Sequence, residues 1–128
     1  MATNRMVIDT NIFIEHLRAK DKNKTILMQI PADAELFISA VTFYELLMGA
    51  TSEQKEKEVS ILIDSIPILA FSDEVARKAA DIYHDLRKRN RMIGFRDIFI
   101  AATALAYDLP VKTNNRKDFE RVTGLVMI

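Results

Sequence analysis

The chain has 128 residues, of which 18 are basic and 18 are acidic, and none is cysteine. A formal net charge of zero excludes attraction to nucleic acid by total charge, so any such partner must be held by local basic patches. The absence of cysteine excludes disulfides and thiolate zinc sites and is typical of a reducing compartment.

Neither a membrane span nor a signal peptide is expected. The longest apolar run, residues 98–107, is far shorter than the roughly 20 residues that a membrane-spanning helix requires. The first residues lead directly into a strand-like segment and lack the apolar stretch of a signal peptide. We therefore expect one cytoplasmic domain over residues 1–128, without membrane contact.

Apolar periodicity predicts alternating strands and helices throughout the chain. The first half predicts a strand over 6–9, a helix over 11–19, a helical piece over 25–30, a strand over 35–40, a helix over 42–48 and a helix that begins after Ser52. The second half predicts a strand over 67–71, helices over 73–88 and 96–107, a strand over 110–113, a short helix over 116–122 and a last strand over 125–128. Repeated strand–helix crossovers indicate a three-layer α/β/α domain with a mainly parallel central sheet.

Four acidic residues share one local setting, because each lies where an apolar stretch gives way to a predicted helix. They are Asp9, Glu45, Asp97 and Asp118. Such handovers gather at one edge of a parallel sheet, so we expect the four acids to converge in one pocket. Clustered carboxylates repel one another, and oxygen ligands without cysteine or paired histidines favour Mg²⁺ or Mn²⁺ over zinc. The pattern therefore predicts metal-assisted phosphodiester chemistry.

Each acid also has a purely structural explanation. Asp9 is placed to cap the helix that follows it, and Glu45 completes a capping box with the threonine three residues before it. The helix dipole favours an acid in a first turn, where Asp97 lies. Asn115 is able to fill the space assigned to Asp118. The functional interpretation therefore depends on the four acids acting together.

Four blocks of sequence carry a family resemblance. They are Val7–Asn11, Ser39–Leu46 with Gly49, Asp97–Ala102 and Thr113–Phe119. In order and approximate spacing they resemble the PIN domain, in particular the small VapC-type toxins of toxin–antitoxin pairs, and the match covers nearly the whole chain. The resemblance implies a divalent-metal-dependent endoribonuclease that cleaves RNA, commonly forms a homodimer and is inhibited by a cognate antitoxin.

Roles follow by position in the family motifs. Asp9 and Asp97 match the principal metal ligands, and Glu45 matches the second acid. At the fourth place many members carry an aspartate where this chain has Asn115, with Asp118 one turn later, so either residue completes the catalytic set. Hydrogen bonds that support the ligands are expected from Thr10, Asn11, Ser39 and Thr113. Contacts with the RNA backbone are expected from Arg87, Lys88, Arg89, Arg91, Arg96 and Lys112. The basic residues within 87–96 also have a structural explanation, because cations near the end of a helix complement its dipole.

Two other functions remain open on the sequence. A phospho-receiver domain has similar length and alternation and binds Mg²⁺ through acids, and Asp73 is its candidate phosphate acceptor. A catalytically inactive PIN-like module that only binds a partner is the second alternative. The apolar residues of the helix over 42–48 fit either a place in the core or, in part, a dimer or antitoxin surface.

Overall fold

The computed structural model describes residues 4–128. The strands are β1 (Arg5–Ile8), β2 (Glu35–Ser39), β3 (Ile68–Leu69) and β4 (Val111–Lys112). The helices are α1 (Thr10–Arg18), α2 (Ile26–Gln29), α3 (Ala40–Gly49), α4 (Glu53–Ile63), α5 (Asp73–Lys88), α6 (Phe95–Ala106) and α7 (Arg116–Phe119), with a 3₁₀ turn at Lys22–Lys24. None of these helices has the length and apolar character needed to cross a membrane.

The strands form one parallel sheet in the order β3-β2-β1-β4. Strand β1 is central, since Val7 pairs with Phe37 of β2 on one side and with Val111 of β4 on the other. The chain adds β2 and β3 to one side of β1 and then crosses to add β4 on the other side. Such a reversal opens a crevice at the carboxyl ends of the strands.

Helices cover both faces of this sheet. Along β1, Met6 and Ile8 belong to a core cluster with residues of α1, α3 and α4, whereas Val7 belongs to a second cluster with residues of α5, α6 and α7. Successive side chains of a strand point to opposite faces, so β1 supplies both cores. The predicted three-layer α/β/α architecture with a parallel sheet is confirmed.

The last two predicted elements are shorter than expected. Helix α7 ends at Phe119, where the sequence predicts a helix to Val122. The strand predicted over 125–128 contributes a single bridge, between Met127 and Val111. Phe119 and Val122 are buried, but the chain turns over residues 120–124, where Gly124 has a φ of 83°, and this turn separates the short helix from the single bridge.

Three strand ends deliver the predicted site residues to one edge of the sheet. Asp9 follows β1, Ser39 ends β2 just before α3, and Thr113 follows β4. The backbone amide of Asp9 donates to the carbonyl of Lys112 at 3.0 Å, which holds the ends of β1 and β4 side by side.

Candidate active site

Asp9 lies at the centre of the carboxyl edge, and its side chain is completely buried. It stands at the N-cap position of α1, yet its carboxylate forms no capping hydrogen bond. Oδ2 accepts a hydrogen bond of 2.8 Å from the Thr113 hydroxyl. Oδ1 has no hydrogen-bond donor within the described chain. The capping explanation for this residue is therefore wrong.

Glu45 is held by a chain of hydroxyl groups. Its Oε1 accepts from the Thr10 hydroxyl at 2.7 Å, and the Thr10 oxygen lies 2.9 Å from that of Thr42. The Ser39 hydroxyl in turn donates to Thr42 at 3.1 Å. An ionised carboxylate only accepts hydrogen bonds, so Thr42 must donate to Thr10 and every hydroxyl in the chain points towards Glu45. The aligned hydroxyl groups thereby hold the Glu45 carboxylate in position.

The capping box expected at Glu45 does not exist. Helix α3 begins at Ala40, and its N-cap is Ser39, whose hydroxyl oxygen accepts from the Thr42 amide at 3.0 Å. Thr42 thus lies inside the first turn, and Glu45 lies in mid-helix, facing α6. Thr42 is therefore a member of the hydroxyl chain and not the predicted cap, and the Ser-x-x-Thr spacing from Ser39 is the sequence signal for this role.

Asn115 connects the remaining two acids. Its side-chain amide donates to Asp118 Oδ2 at 3.1 Å and lies 3.4 Å from Asp97 Oδ2. Its backbone amide donates to the Thr113 hydroxyl at 2.8 Å. Asn115 and Asp118 therefore occupy the fourth corner together. We refer to Asp9, Glu45, Asp97 and Asp118 as the acid cluster.

Arg96 lies among these carboxylates and not with the other basic residues of its predicted patch. Nε donates to Glu45 Oε2 at 2.7 Å, and Nη1 donates to Asp97 Oδ1 at 2.9 Å. Nη2 lies 3.6 Å from Asp9 Oδ1. One guanidinium thus contacts three acids that come from three separate segments of the chain.

Burial and mutual repulsion shift the acidity of this group. Burial, together with the charges of the neighbouring acids, raises the pKa of Asp97 to about 6, although the charge of Arg96 opposes that shift. Burial also raises the pKa of Asp9, although the hydrogen bond from Thr113 opposes that shift. Burial alone would lower the pKa of Arg96, but its contacts with Glu45, Asp97 and Asp9 raise it instead. A single positive charge leaves the acid cluster with an excess of negative charge.

The donor set fits a hard divalent cation. The acids and the threonine hydroxyl groups bonded to them supply oxygen atoms, which Mg²⁺ and Mn²⁺ prefer. Asp9 Oδ1 is buried and faces the cluster without a donor, a state that costs free energy unless a cation completes it. Across residues 4–128, no three acidic or histidine side chains already stand in metal-binding geometry. The guanidinium of Arg96 spans the space between them.

Within residues 4–128, no side-chain hydrogen bond or ion pair joins the other predicted residues to the acid cluster. Asn11 is half-buried in the first turn of α1, and the described region shows no hydrogen bond from its side chain to the acids. Arg87, Lys88, Arg89 and Arg91 lie at the end of α5 and in the loop that leads to α6. Arg89 pairs with Asp85 at 2.7 Å, and Arg87 donates to the Tyr83 hydroxyl at 2.8 Å. Lys112 is half-buried in β4.

Comparison with known proteins decides the family. The family model described as "PIN domain" matches residues 6–125. The chain belongs to the PIN domain family. Ribonuclease VapC1 of Rickettsia felis is 32% identical over 130 residues, which cover 96% of this chain and 94% of that protein. The resemblance to VapC-type PIN domains is thereby confirmed.

Solved structures of related complexes agree with this assignment. A chain of VapBC-1 from nontypeable Haemophilus influenzae superposes with a TM-score of 0.82 and 28% identity, covering 97% of this chain and 96% of its own. A chain of a toxin-antitoxin complex from Klebsiella pneumoniae gives a TM-score of 0.76 and 25% identity, covering 95% and 96%. Membership of the PIN family leaves no basis for the phospho-receiver interpretation, whose candidate Asp73 is an exposed residue in the first turn of α5.

Proposed function

We propose that this protein is a divalent-metal-dependent endoribonuclease and the toxin of a toxin–antitoxin pair. The observation that carries the proposal is the convergence of four carboxyl groups, among them that of Asp9, whose Oδ1 is buried without a hydrogen-bond donor among the described residues. A PIN family member with this arrangement has the ligands that metal-assisted phosphodiester hydrolysis needs. Mg²⁺ and Mn²⁺ are the proposed ions.

The residues of the proposed site have different roles. Asp9, Asp97 and Glu45 would hold the ion, which when bound polarises a phosphoryl oxygen and lowers the pKa of the attacking water. Thr113 orients Asp9, and Thr10 orients Glu45. Asn115 and Asp118, joined by a hydrogen bond of 3.1 Å, lie beside Asp97 and would position the attacking water.

This mechanism does not use the 2′-hydroxyl of RNA. Ribonucleases that do so rely on a pair of histidines, whereas His16 of this chain is buried against the Thr25 hydroxyl at 2.7 Å and His84 is exposed on α5. We therefore expect products with a 5′-phosphate and a 3′-hydroxyl. Products with 2′,3′-cyclic phosphate would contradict the mechanism.

A protein partner is supported by the outer face of α3. Tyr44, Leu47 and Met48 are 61%, 49% and 59% exposed, an apolar surface beside the acid cluster. We propose that a cognate antitoxin covers this face in the cytoplasm and that the toxin itself forms a homodimer. Light scattering of the protein alone, and then with the product of an adjoining small reading frame, measures both associations.

The deciding experiment measures metal-dependent RNA cleavage by the wild type and by Asp97→Asn. We expect cleavage of single-stranded or structured RNA with Mg²⁺ or Mn²⁺, its loss with a chelator, and a fall of at least about 100-fold in Asp97→Asn, because a principal ligand is lost. Asp73→Asn, which changes an exposed aspartate on α5, is the matched control. Equal activity in wild type and Asp97→Asn would contradict the proposal. If none of the three proteins cleaved RNA while the wild type still bound both RNA and the metal ion, the inactive binding module would be favoured.

A further inference from the structure

Arg96 contacts one oxygen of each of the three proposed metal ligands. These oxygens are Asp9 Oδ1 at 3.6 Å, Glu45 Oε2 at 2.7 Å and Asp97 Oδ1 at 2.9 Å. Within residues 4–128, it is the cation that forms ion pairs with these acids. Its planar fork of donors suits several carboxylates at once.

A divalent ion and this guanidinium compete for the same oxygens. A metal binds carboxylate oxygens at about 2.0–2.6 Å and needs several of them to converge on one point. With Arg96 in place, the three carboxylates surround a flat group more than one atom wide, and across the described chain no three acids form a metal-ready group. Two positive charges held at the same oxygens would also repel each other. The two cations therefore exclude one another.

The side chain of Arg96 is able to leave the acid cluster. It lies in the first turn of α6, and a third of its side chain is exposed, in contrast to the 0% and 6% of the Asp9 and Asp97 side chains. Its contacts are with side chains of the acids and not with backbone carbonyls. Rotation about its side-chain torsions can then move the guanidinium to solvent without moving α6.

We propose that Arg96 is a built-in placeholder cation, which partly neutralises the acid cluster in the metal-free protein and leaves it when a divalent ion binds. This inference rests on the proposed metal-dependent function. The exchange keeps the three carboxylates close together when no metal is present, so that the ligand positions do not spread apart. It also weakens metal binding by the free energy needed to break the ion pairs of Arg96.

The direct test observes Arg96 itself, by NMR of the arginine Nε–H groups. In metal-free wild type, the Arg96 Nε–H is hydrogen-bonded to Glu45, and we expect a protected signal that shifts to the position of free arginines on saturation with diamagnetic Mg²⁺. Arg5 is the internal control, because its Nε also donates to a glutamate, Glu35, at 3.2 Å, but at the amino end of β1. Its signal should not move.

The second measurement is the affinity for Mn²⁺, by calorimetry, of wild type, Arg96→Gln and Arg5→Gln. Loss of hydrogen bonds between charged groups corresponds to about tenfold in affinity or more, so Arg96→Gln should bind Mn²⁺ about tenfold more tightly and Arg5→Gln as wild type does. An Arg96 signal that stays unchanged while the wild type binds the ion would overturn the placeholder role and leave the proposed function standing. A wild type that binds neither ion would overturn both.

Discussion

The surroundings of Asp97 oppose the ionisation of its carboxyl group. Its side chain is 6% exposed, and Asp9, Asp118 and Glu45 all lie near enough to raise its pKa. The charge of Arg96, which donates a hydrogen bond of 2.9 Å, lowers the pKa instead. A carboxyl group held at a pKa of about 6 takes up a proton when the protein folds at mildly acidic pH.

The stability of the metal-free protein should therefore depend on the protonation of Asp97. Its pKa is raised in the folded state from 3.8 to about 6, so its contribution is complete below about pH 3.8 and is lost as the pH rises through about 6. The full difference corresponds to about 3 kcal/mol as an upper figure. Asp97→Asn, which stays neutral, should remove this part of the pH dependence and make the metal-free protein more stable than wild type at pH 7.

Urea denaturation with chelator at several pH values between 4 and 7.5 measures this effect. His16 contributes a slope of opposite sign, since burial lowers its pKa, but it is present in both proteins and cancels in their difference. Asp64→Asn, at an exposed position after α4, controls for the loss of one charge. Parallel curves for wild type and Asp97→Asn across this range would contradict the burial argument.

The acids of the cluster were predictable as a set, but the position of Arg96 was not. Asp9, Glu45 and Asp97 stand in motifs that place them after strands or in a helix start, so their shared local setting selects them together. Arg96 lies within a run of basic residues, and its direction towards Glu45, 51 positions earlier, depends on how α6 packs against α3. Local sequence gives no measure of that contact.

Helix α3 connects a structural cap with the functional site. Ser39 ends β2, caps α3 through its hydroxyl oxygen and donates the same hydroxyl to Thr42, from which the chain runs through Thr10 to Glu45. One residue thus supports both the start of the helix and the position of a proposed ligand. Helix α3 begins two residues before the start predicted at Thr42, since a serine at the end of a strand is equally consistent with a strand or with a cap.

Two serine caps of the chain offer a matched pair of variants. Ser39→Ala and Ser52→Ala each remove a hydroxyl that accepts a backbone amide, that of Thr42 at 3.0 Å and that of Lys55 at 3.2 Å. Each should lower the free energy of unfolding by about 1 kcal/mol. Only Ser39→Ala should also weaken Mn²⁺ binding and RNA cleavage, by about tenfold, because it alone shortens the hydroxyl chain to Glu45.

Thermal unfolding, calorimetric Mn²⁺ titration and cleavage rates of the two variants separate these effects. Thr103→Val is a further control, since it removes a buried hydroxyl that bonds only to the Phe99 carbonyl of its own helix. If Ser39→Ala kept full metal affinity and cleavage while losing the expected stability, the hydroxyl chain would have no functional part.

At the scale of the whole molecule, the sheet separates two cores that share β1. Regular alternation of strands and helices made this arrangement predictable, because parallel strands need crossovers and crossovers cover both faces. The end of the chain was less predictable, since the bridge at Met127 depends on its neighbour β4 and not on local apolar pattern. The same holds for the acid cluster, which four distant segments build only when all the strands are in place.

We expect the two cores to unfold together, as one domain. Ile38→Val and Ile100→Val each remove one methylene-sized group from a fully buried side chain, the first in the core of α1, α3 and α4 and the second in that of α5 and α6. Each should lower the free energy of unfolding by about 1 kcal/mol. In a cooperative unit, either variant reduces the hydrogen-exchange protection of the slowest amides on both faces of the sheet by the same factor, about fivefold. Ile61→Val, at a position that is 81% exposed on α4, should change nothing.

Loss of protection confined to the face that carries the substitution would mean that the two layers unfold independently. The acid cluster, which takes residues from both layers, would then come apart whenever either layer opened.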